Sequence, residues 1–585
     1  MSLAIARLDA ARRTVDARLS AERHPDGYWV GELASSSLAT ATAIVALHLA
    51  DAVEYRSLVE GGLRSLCRYQ NVDGGFGDTD RSLSNISTTM LGRAALTICD
   101  PDGRYASELK RCEEWLFTRY GRTRDELTRA VRARYGKDNT FAVPILMTGA
   151  LAGLVDWSAI PFLPFPMAVF PQSMYRMLRL SVVSYALPAL IAIGQVIHAR
   201  KRSWNPLTTA IRSMSIRPTL RVLSRIQPTS GGYLEATPLT SFVVMSLVSS
   251  GSGDSAVVKN GVRFLVESVR ADGSWPIDTN LSTWVTTLAV NGMCAGNDPA
   301  PIPQRDELAA WLLGQQMKAV HPYTGAAPGG WGWTPLSGSV PDADDTPGAI
   351  LALIHLARMG ATIPPEAIRN GMVWLLGLAN GDGGMPTFCR GWGQLPFDRS
   401  GSDLTAHAIR AIHAGRRFLA DDDPRWDGLI RRGFGYLAKQ QRADGSWLPL
   451  WFGNQDAPDD DNPVYGTSRV LMAYCDTDRT DDGACRRGIA WLMSVRNADG
   501  GWGGAAGCAS SVEETSVALD ALCGLLPLAE LESSANWLLT RIESGDWTQP
   551  TPIGFYFAKL WYYERLYPAT FASGALHRLR AAHGG

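Results

Sequence analysis

Charge is scarce in this 585-residue chain: only 19% of residues are Asp, Glu, Lys or Arg, and 56 basic against 57 acidic side chains leave a net charge of -1. A chain so balanced has no broad basic face for a polyanion, so nucleic acid is excluded as a partner. Cysteine is sparse and scattered: the nine thiols form no CxxC pair and their number is odd, which excludes a disulfide framework and suits reduced thiols in the cytoplasm. No His/Cys cluster has zinc spacing. Period-2 alternation is rare, so a sheet protein is excluded. A secretory leader is not expected either, because Arg7, Asp9, Arg12, Arg13, Asp16, Arg18 and Glu22 spread charge through an amphipathic N-terminal helix.

What the chain has in excess is tryptophan, 19 residues, and hydrophobic residues at 46%. The placement of the tryptophans says more than their number. Apolar helical runs end repeatedly in a polar turn, then Asp-Gly or Gly-Gly, then an aromatic, as at RFLVESVRADGSW (ending at Trp275), GYLAKQQRADGSW (Trp447) and AWLMSVRNADGGW (Trp502). Endings recur roughly every 45 to 65 residues, enough for a pair of helices, and helical hairpins repeated in a ring close into an α/α barrel. The expected fold is therefore all-α, with two α/α barrels at about 18–277 and 278–585 and a helix over 1–17 packed between them.

One stretch breaks the rhythm. From Phe141 to about residue 202 the chain is apolar but punctuated by Pro144, Pro161, Pro164, Pro166, Pro171 and Pro188, and it ends in the basic run His198 to Arg202. Proline at that density interrupts a clean span of about 20 residues. A buried core helix and a patch that dips into one bilayer leaflet both remain open.

The chemistry centres on Pro341-Asp342-Ala343-Asp344-Asp345-Thr346-Pro347. Three carboxylates so close repel one another, so at least one holds its proton above the ordinary range. Alone, such a cluster reads as a solvated loop or a helix N-terminus. Its surroundings change that reading. The repeat endings resemble the QW motifs of triterpene cyclases, and Asp342-Ala343-Asp344-Asp345 resembles the DxDD acid motif of squalene-hopene cyclases and other class II terpene cyclases. The likeness runs from Asp26-Gly27-Tyr28-Trp29 to the aromatic block around Phe555, Tyr556 and Tyr562-Tyr563.

The resemblance implies Asp344 as proton donor to an alkene, with Asp342 and Asp345 beside it. It also implies a histidine on the donor and an Asp one turn earlier, here His407 and Asp403 in Asp403-Leu404-Thr405-Ala406-His407, on one helix face. A cationic His407 is expected to strengthen the acid. For the cation that follows, aromatic faces attract charge without offering a nucleophile. The implied pocket residues are Trp284, Trp333, Phe388, Phe397, Trp451, Tyr465, Tyr556 and Tyr563, with Tyr185 expected to substitute from the next turn for a family aromatic that is not in register, whereas Trp275, Trp447 and Trp502 are assigned to structure. The chain also departs from the pattern. Thr237 stands where the family has a Gln before Pro238, and Phe242 replaces a nearby Tyr; in the family these hold the water that ends the reaction. Val285 and Pro347 are further departures.

Asp459-Asp460-Asp461 is flanked by prolines and is expected to be a loop rather than a metal site. Proton-initiated cyclisation needs no metal or other cofactor. The implied activity is cyclisation of squalene or a close linear triterpene to a product such as hopene, by a monotopic enzyme on the inner face of the cell membrane, as a monomer or homodimer. Two alternatives remain: a class II diterpene cyclase acting on a prenyl diphosphate, and a non-catalytic α/α repeat that binds lipid.

Overall fold

The structure is a computed structural model that describes residues 5–136, 138–171, 174–175, 184–201, 203–390, 397–556 and 559–584. Two rings of helices follow from two kinds of helical sequence. Segments such as Ser37–Ala50 (SLATATAIVALHLA) are small and apolar all round and are buried on nearly every side, so they form inner walls. Segments such as Pro424–Gln440 bury one stripe and show charge on the other face, so they lie outside. Side-chain caps start some of the inner helices: Ser36 Oγ accepts the Ala39 N–H and Asn85 Oδ1 accepts the Thr88 N–H.

The inner helices of the first ring are Ser37–Ala50, Ile86–Cys99, Asn139–Leu151, Leu187–Arg200 and Thr237–Ser249; each packs on the next and the last on the first. The second ring has six: Ser282–Met293, Asp345–Arg358, Ser402–Leu419, Pro463–Asp476, Val512–Leu522 and Tyr567–Gly584, closed in the same way. The helix Ile5–Ala21 does not lie between the rings. It packs on the outside of the second, against Tyr567–Gly584 and Leu528–Ser544, where His577 Nε2 lies 3.0 Å from Asp16 Oδ2. The Trp29 indole donates to Leu19 O (2.7 Å) while its backbone N–H donates to Thr286 Oγ1 (3.0 Å), so the first residues of the chain complete the C-terminal ring.

That pair of bonds is the repeat's fastener. Trp275, Trp447 and Trp502 each donate an indole N–H to a leucine carbonyl ten residues back, in the last turn of the outer helix, where carbonyls have few intrahelical partners. Each also donates its backbone N–H to an inner-helix threonine: Thr40, Thr467 and Thr515. Gln227, Gln316 and Gln441 add a third tie, each amide bridging its own turn to the start of the next outer helix.

The proline-rich apolar stretch divides in two. Leu187–Arg200 is an inner wall of the first barrel with its apolar side chains buried, whereas the segment 161–171 leaves Met167, Val169 and Phe170 exposed. Residues 172–173, 176–183 and 202 of that stretch lie outside the described residues. Among the described residues no helix is long and apolar enough to cross a membrane. Asp459-Asp460-Asp461 forms a short surface turn, with Arg442 3.8 Å from Asp461.

Candidate active site

The acid motif is held by the repeat fasteners on either side of it. Trp331 receives the Asp342 N–H on its carbonyl (3.0 Å) and donates its own N–H to Thr346 Oγ1 (2.9 Å), while the Ala343 N–H donates to Thr387 O (2.9 Å). The chain is thereby extended through Asp342 and turns into the helix Asp345–Arg358 at Asp344. Asp342 Oδ1 accepts the N–H groups of both Asp344 (2.8 Å) and Asp345 (2.7 Å), a carboxylate closing the first turn.

Burial and mutual repulsion set the protonation of the cluster. Asp342 is pushed up to about 7, chiefly by burial and also by the charge of Asp344, against the backbone donors. Asp345 is raised well above the ordinary range by burial and by Asp342, so it holds the proton of that pair. Asp344 is less enclosed, with its side chain 23% exposed to the cavities that flank it. Its Oδ1 lies 3.1 Å from His407 Nδ1. Burial holds His407 below the usual imidazole value despite the opposing pull of Asp344. Burial thus works against the expected cation, while a proton on Nδ1 would make a bond to Asp344 Oδ1 that strengthens as the carboxylate forms. Asp403 shares the helix Ser402–Leu419 with His407, but its carboxylate accepts the Leu450 N–H (3.2 Å), which fixes the loop carrying Trp451. Burial, with the charge of Asp344, pushes Asp403 up to about 7.

Two cavities of opposite character meet at Asp344. One lies between the barrels and is apolar and aromatic. The other, about 410 Å³, is the polar interior of the C-terminal barrel, where Arg410 pairs with Asp476 (2.7 Å) and Arg578 with Asp520 (2.5 Å). Asp476 is held down to about 2, the two arginines outweighing its burial.

Of the residues implied by the sequence, Tyr185, Phe242, Trp284, Trp333, Phe388 and Phe397 line the apolar cavity, as do Trp451 and Tyr556. Phe388 is the hub: its ring centroid lies 4.6 Å from Tyr185, 5.9 Å from Trp451 and 6.1 Å from Trp333. Residues 391–396, between Phe388 and Phe397, lie outside the described residues. Three expected residues stand elsewhere. Tyr465 stacks behind Phe452 at 3.9 Å and faces the polar cavity. Thr237 is buried at the start of its helix, off the cavity wall. Tyr563 points away and donates to Asp80 (2.7 Å), leaving its neighbour Tyr562 on the wall. Sequence reasoning missed Tyr562, Phe452 and Asp278. Asp278 is buried on the cavity wall, receives the Tyr556 hydroxyl at 2.7 Å and is raised to about 7 by burial.

The sequence matches the squalene-hopene cyclase C-terminal domain over residues 280–581 and the squalene-hopene cyclase N-terminal domain over residues 12–231. It is 23% identical to a probable squalene-hopene cyclase of Sinorhizobium fredii over 94% of both chains. It is 25% identical to an enfumafungin synthase of Hormonema carpetanum over 94% of this chain, but it spans only 46% of that protein's length. Among solved structures, the ent-copalyl diphosphate synthase of Streptomyces platensis superposes over 99% of both chains with a TM-score of 0.53 at 17% identity, a likeness of fold. The acid cluster and the paired helical rings thus stand inside two domain matches that together span most of the sequence, and the chain belongs to the squalene-hopene cyclase family, whose members are class II terpene cyclases.

Proposed function

We propose that this protein protonates a terminal alkene of squalene, or of a close linear triterpene, and cyclises it to a polycyclic triterpene such as hopene. Protonating an isolated alkene demands a strong acid held close to the substrate and away from bulk water. Asp344 meets that demand, with a hydrogen bond from His407 Nδ1 stabilising the carboxylate it leaves behind. The observation that carries the choice of substrate is the cavity wall. Among its described residues there is aromatic and aliphatic surface beside the acid but no Lys, Arg or His, so nothing there pairs with a diphosphate. Incubation with squalene and, in parallel, geranylgeranyl diphosphate, followed by mass spectrometry, tests the reading. Cyclised C30 product supports it; cyclised product from the diphosphate alone overturns it.

A hydrocarbon of this size enters from a bilayer, and the reading includes peripheral attachment to a membrane. Its support is a surface patch. Of the thirteen large hydrophobic residues that are exposed among the described residues, seven (Met167, Val169, Phe170, Trp204, Leu207, Ile211 and Met214) fall in two segments. Those segments pack together, with the helix Pro206–Ile226 against Phe165–Val169. Leu207, Ile211 and Met214 form one helical stripe, and the nearby Arg217 and Arg221 suit anionic head groups. The double variant Trp204→Glu, Met214→Glu is expected to bind anionic phospholipid vesicles at least about tenfold more weakly in flotation assays, while detergent-dispersed squalene is still turned over. Unchanged flotation would refute the attachment.

A further inference from the structure

Asp278 lies outside the acid cluster, and its side-chain bond from the Tyr556 hydroxyl uses only one of its two oxygens. It lies in the link from the first barrel to the second, where the Thr279 N–H donates to Glu235 O and Ala236 forms a bridge with Asp278. The helix that follows, Ser282–Met293, is started by Asn280, whose Oδ1 accepts the Ser282 N–H (3.2 Å) and hydroxyl (2.8 Å), so Asp278 caps nothing. Its Oδ2 is fixed by the Tyr556 hydroxyl, while its Oδ1 is buried with no hydrogen-bond partner. A buried carboxylate oxygen left bare is costly, and a fold that keeps one on a cavity wall has a use for its lone pair. The residue is 7% exposed, and it carries the one carboxyl group among the described cavity-lining residues outside the Asp342–Asp345 cluster.

We propose that Asp278 is the base that ends the cyclisation, removing a proton from the last carbocation, with Tyr556 as its positioning residue. This rests on the cyclase reading above. The C–H bond beside the cationic carbon breaks, its electron pair becomes the new C=C bond, and the proton bonds to Asp278 Oδ1. Asp344 has given one proton and Asp278 has taken one, so substrate and product are isomers and both carboxyls are reset by exchange with solvent. Aromatic walls hold a cation but accept no proton from it, so the alkene position is decided by whichever C–H lies against Asp278. Tyr556 is itself fixed, stacked on Tyr562 at 4.5 Å and edge-on to Trp451 at 5.9 Å, so its hydroxyl holds the Asp278 carboxyl in one orientation on the cavity wall. Burial raises the carboxyl toward neutrality while the tyrosine bond opposes the rise, leaving a base matched to a neutral working pH. Thr237 is off the wall and Phe242, on it, has no hydroxyl, so the side chains expected to hold a terminating water are absent from the described wall, which favours an alkene over an alcohol.

The test is product analysis of the full-length Asp278→Asn and Tyr556→Phe variants with both squalene and geranylgeranyl diphosphate. For Asp278→Asn the share of the wild-type alkene is expected to fall at least about tenfold in favour of alcohols or shifted alkene isomers, with a smaller loss in total substrate consumed. Tyr556→Phe is expected to shift the distribution the same way by about threefold. An unchanged distribution in Asp278→Asn overturns the proposal, whichever substrate is cyclised. So does complete loss of turnover at an unchanged Tm, which would assign Asp278 to initiation. If Asp278→Asn fails to fold, Tyr556→Phe decides, and an unchanged distribution there overturns the proposal. Wild-type turnover of the diphosphate alone overturns the substrate reading and leaves the base tested on that product; a wild-type chain inert on both overturns both.

Discussion

Asp344→Asn is expected to lower kcat by at least about 10⁴-fold, at or beyond the upper end of what a single general acid contributes, because no other group in the cavity can replace it. The amide fills the same volume and can still accept the His407 Nδ1–H bond seen at 3.1 Å, so packing is retained. Tm is therefore expected to move by less than about 2 °C. What is lost is the proton itself. Asp345 cannot substitute, because its proton is shared with Asp342 and burial makes its carboxylate costly to form. Asp342 cannot either, because its Oδ1 is occupied by two backbone N–H groups that hold the turn. Mass spectrometry of squalene incubations and calorimetry of the same preparation check both halves, and product from the variant at more than about one hundredth of the wild-type rate would remove Asp344 from its role.

The reason Asp344 could be found in the sequence is that its context is local. The acid, its two neighbours and the aromatic run before it lie within fifteen residues, from Trp331 to Asp345, and the QW-like endings repeat along the chain. Helical rings were legible for the same reason, since each repeat carries its own fastener. Features made by distant segments were not. Ile5–Ala21 completes the second barrel across more than 500 residues, and no local pattern encodes that partnership. The resemblance implies Tyr563 on the cavity wall from its position in the aromatic C-terminal block alone. That residue follows the antiparallel hairpin Gly554–Tyr556 and Leu560–Tyr562, and neighbouring residues of an extended strand face opposite sides, which puts Tyr562 inward and Tyr563 on Asp80. Thr237 and Phe242 are five apart on one helix, about 140° around its axis, so only one of them reaches the cavity. Asp278 offered no motif at all: a lone Asp before a helix reads as a cap, and only the burial of its bare oxygen beside Tyr556 distinguishes it.

Buried carboxyls make a second large effect, on stability. Asp278, Asp342, Asp403, Glu514 and Glu564 are raised to about 7 and Glu513 to about 8, in each case chiefly by burial. In the unfolded chain each returns to about 4. A carboxyl raised on folding binds its proton more tightly in the native state, so its contribution is full below the unfolded value and is lost as pH climbs through the folded value. Asp476 works the other way, but its value of about 2 confines that loss to strongly acidic solution. Between about pH 4.5 and 8.5 the raised group dominates, and Tm is expected to fall by about 5 °C or more across that range, measured by calorimetry at constant detergent and salt. A flat or rising Tm would refute the assignment. Glu513→Gln isolates one contributor. Glu513 Oε1 accepts the Thr551 N–H at 2.7 Å, which the amide oxygen can still do, and its Oε2 is buried without a partner. The variant cannot ionise, so its Tm is expected to exceed the wild type's at pH 8.5 by about 1–3 °C and to match or fall below it at pH 4.5. A crossing of the two Tm curves attributes the pH dependence to the buried carboxyl itself; parallel curves would assign it to the surface.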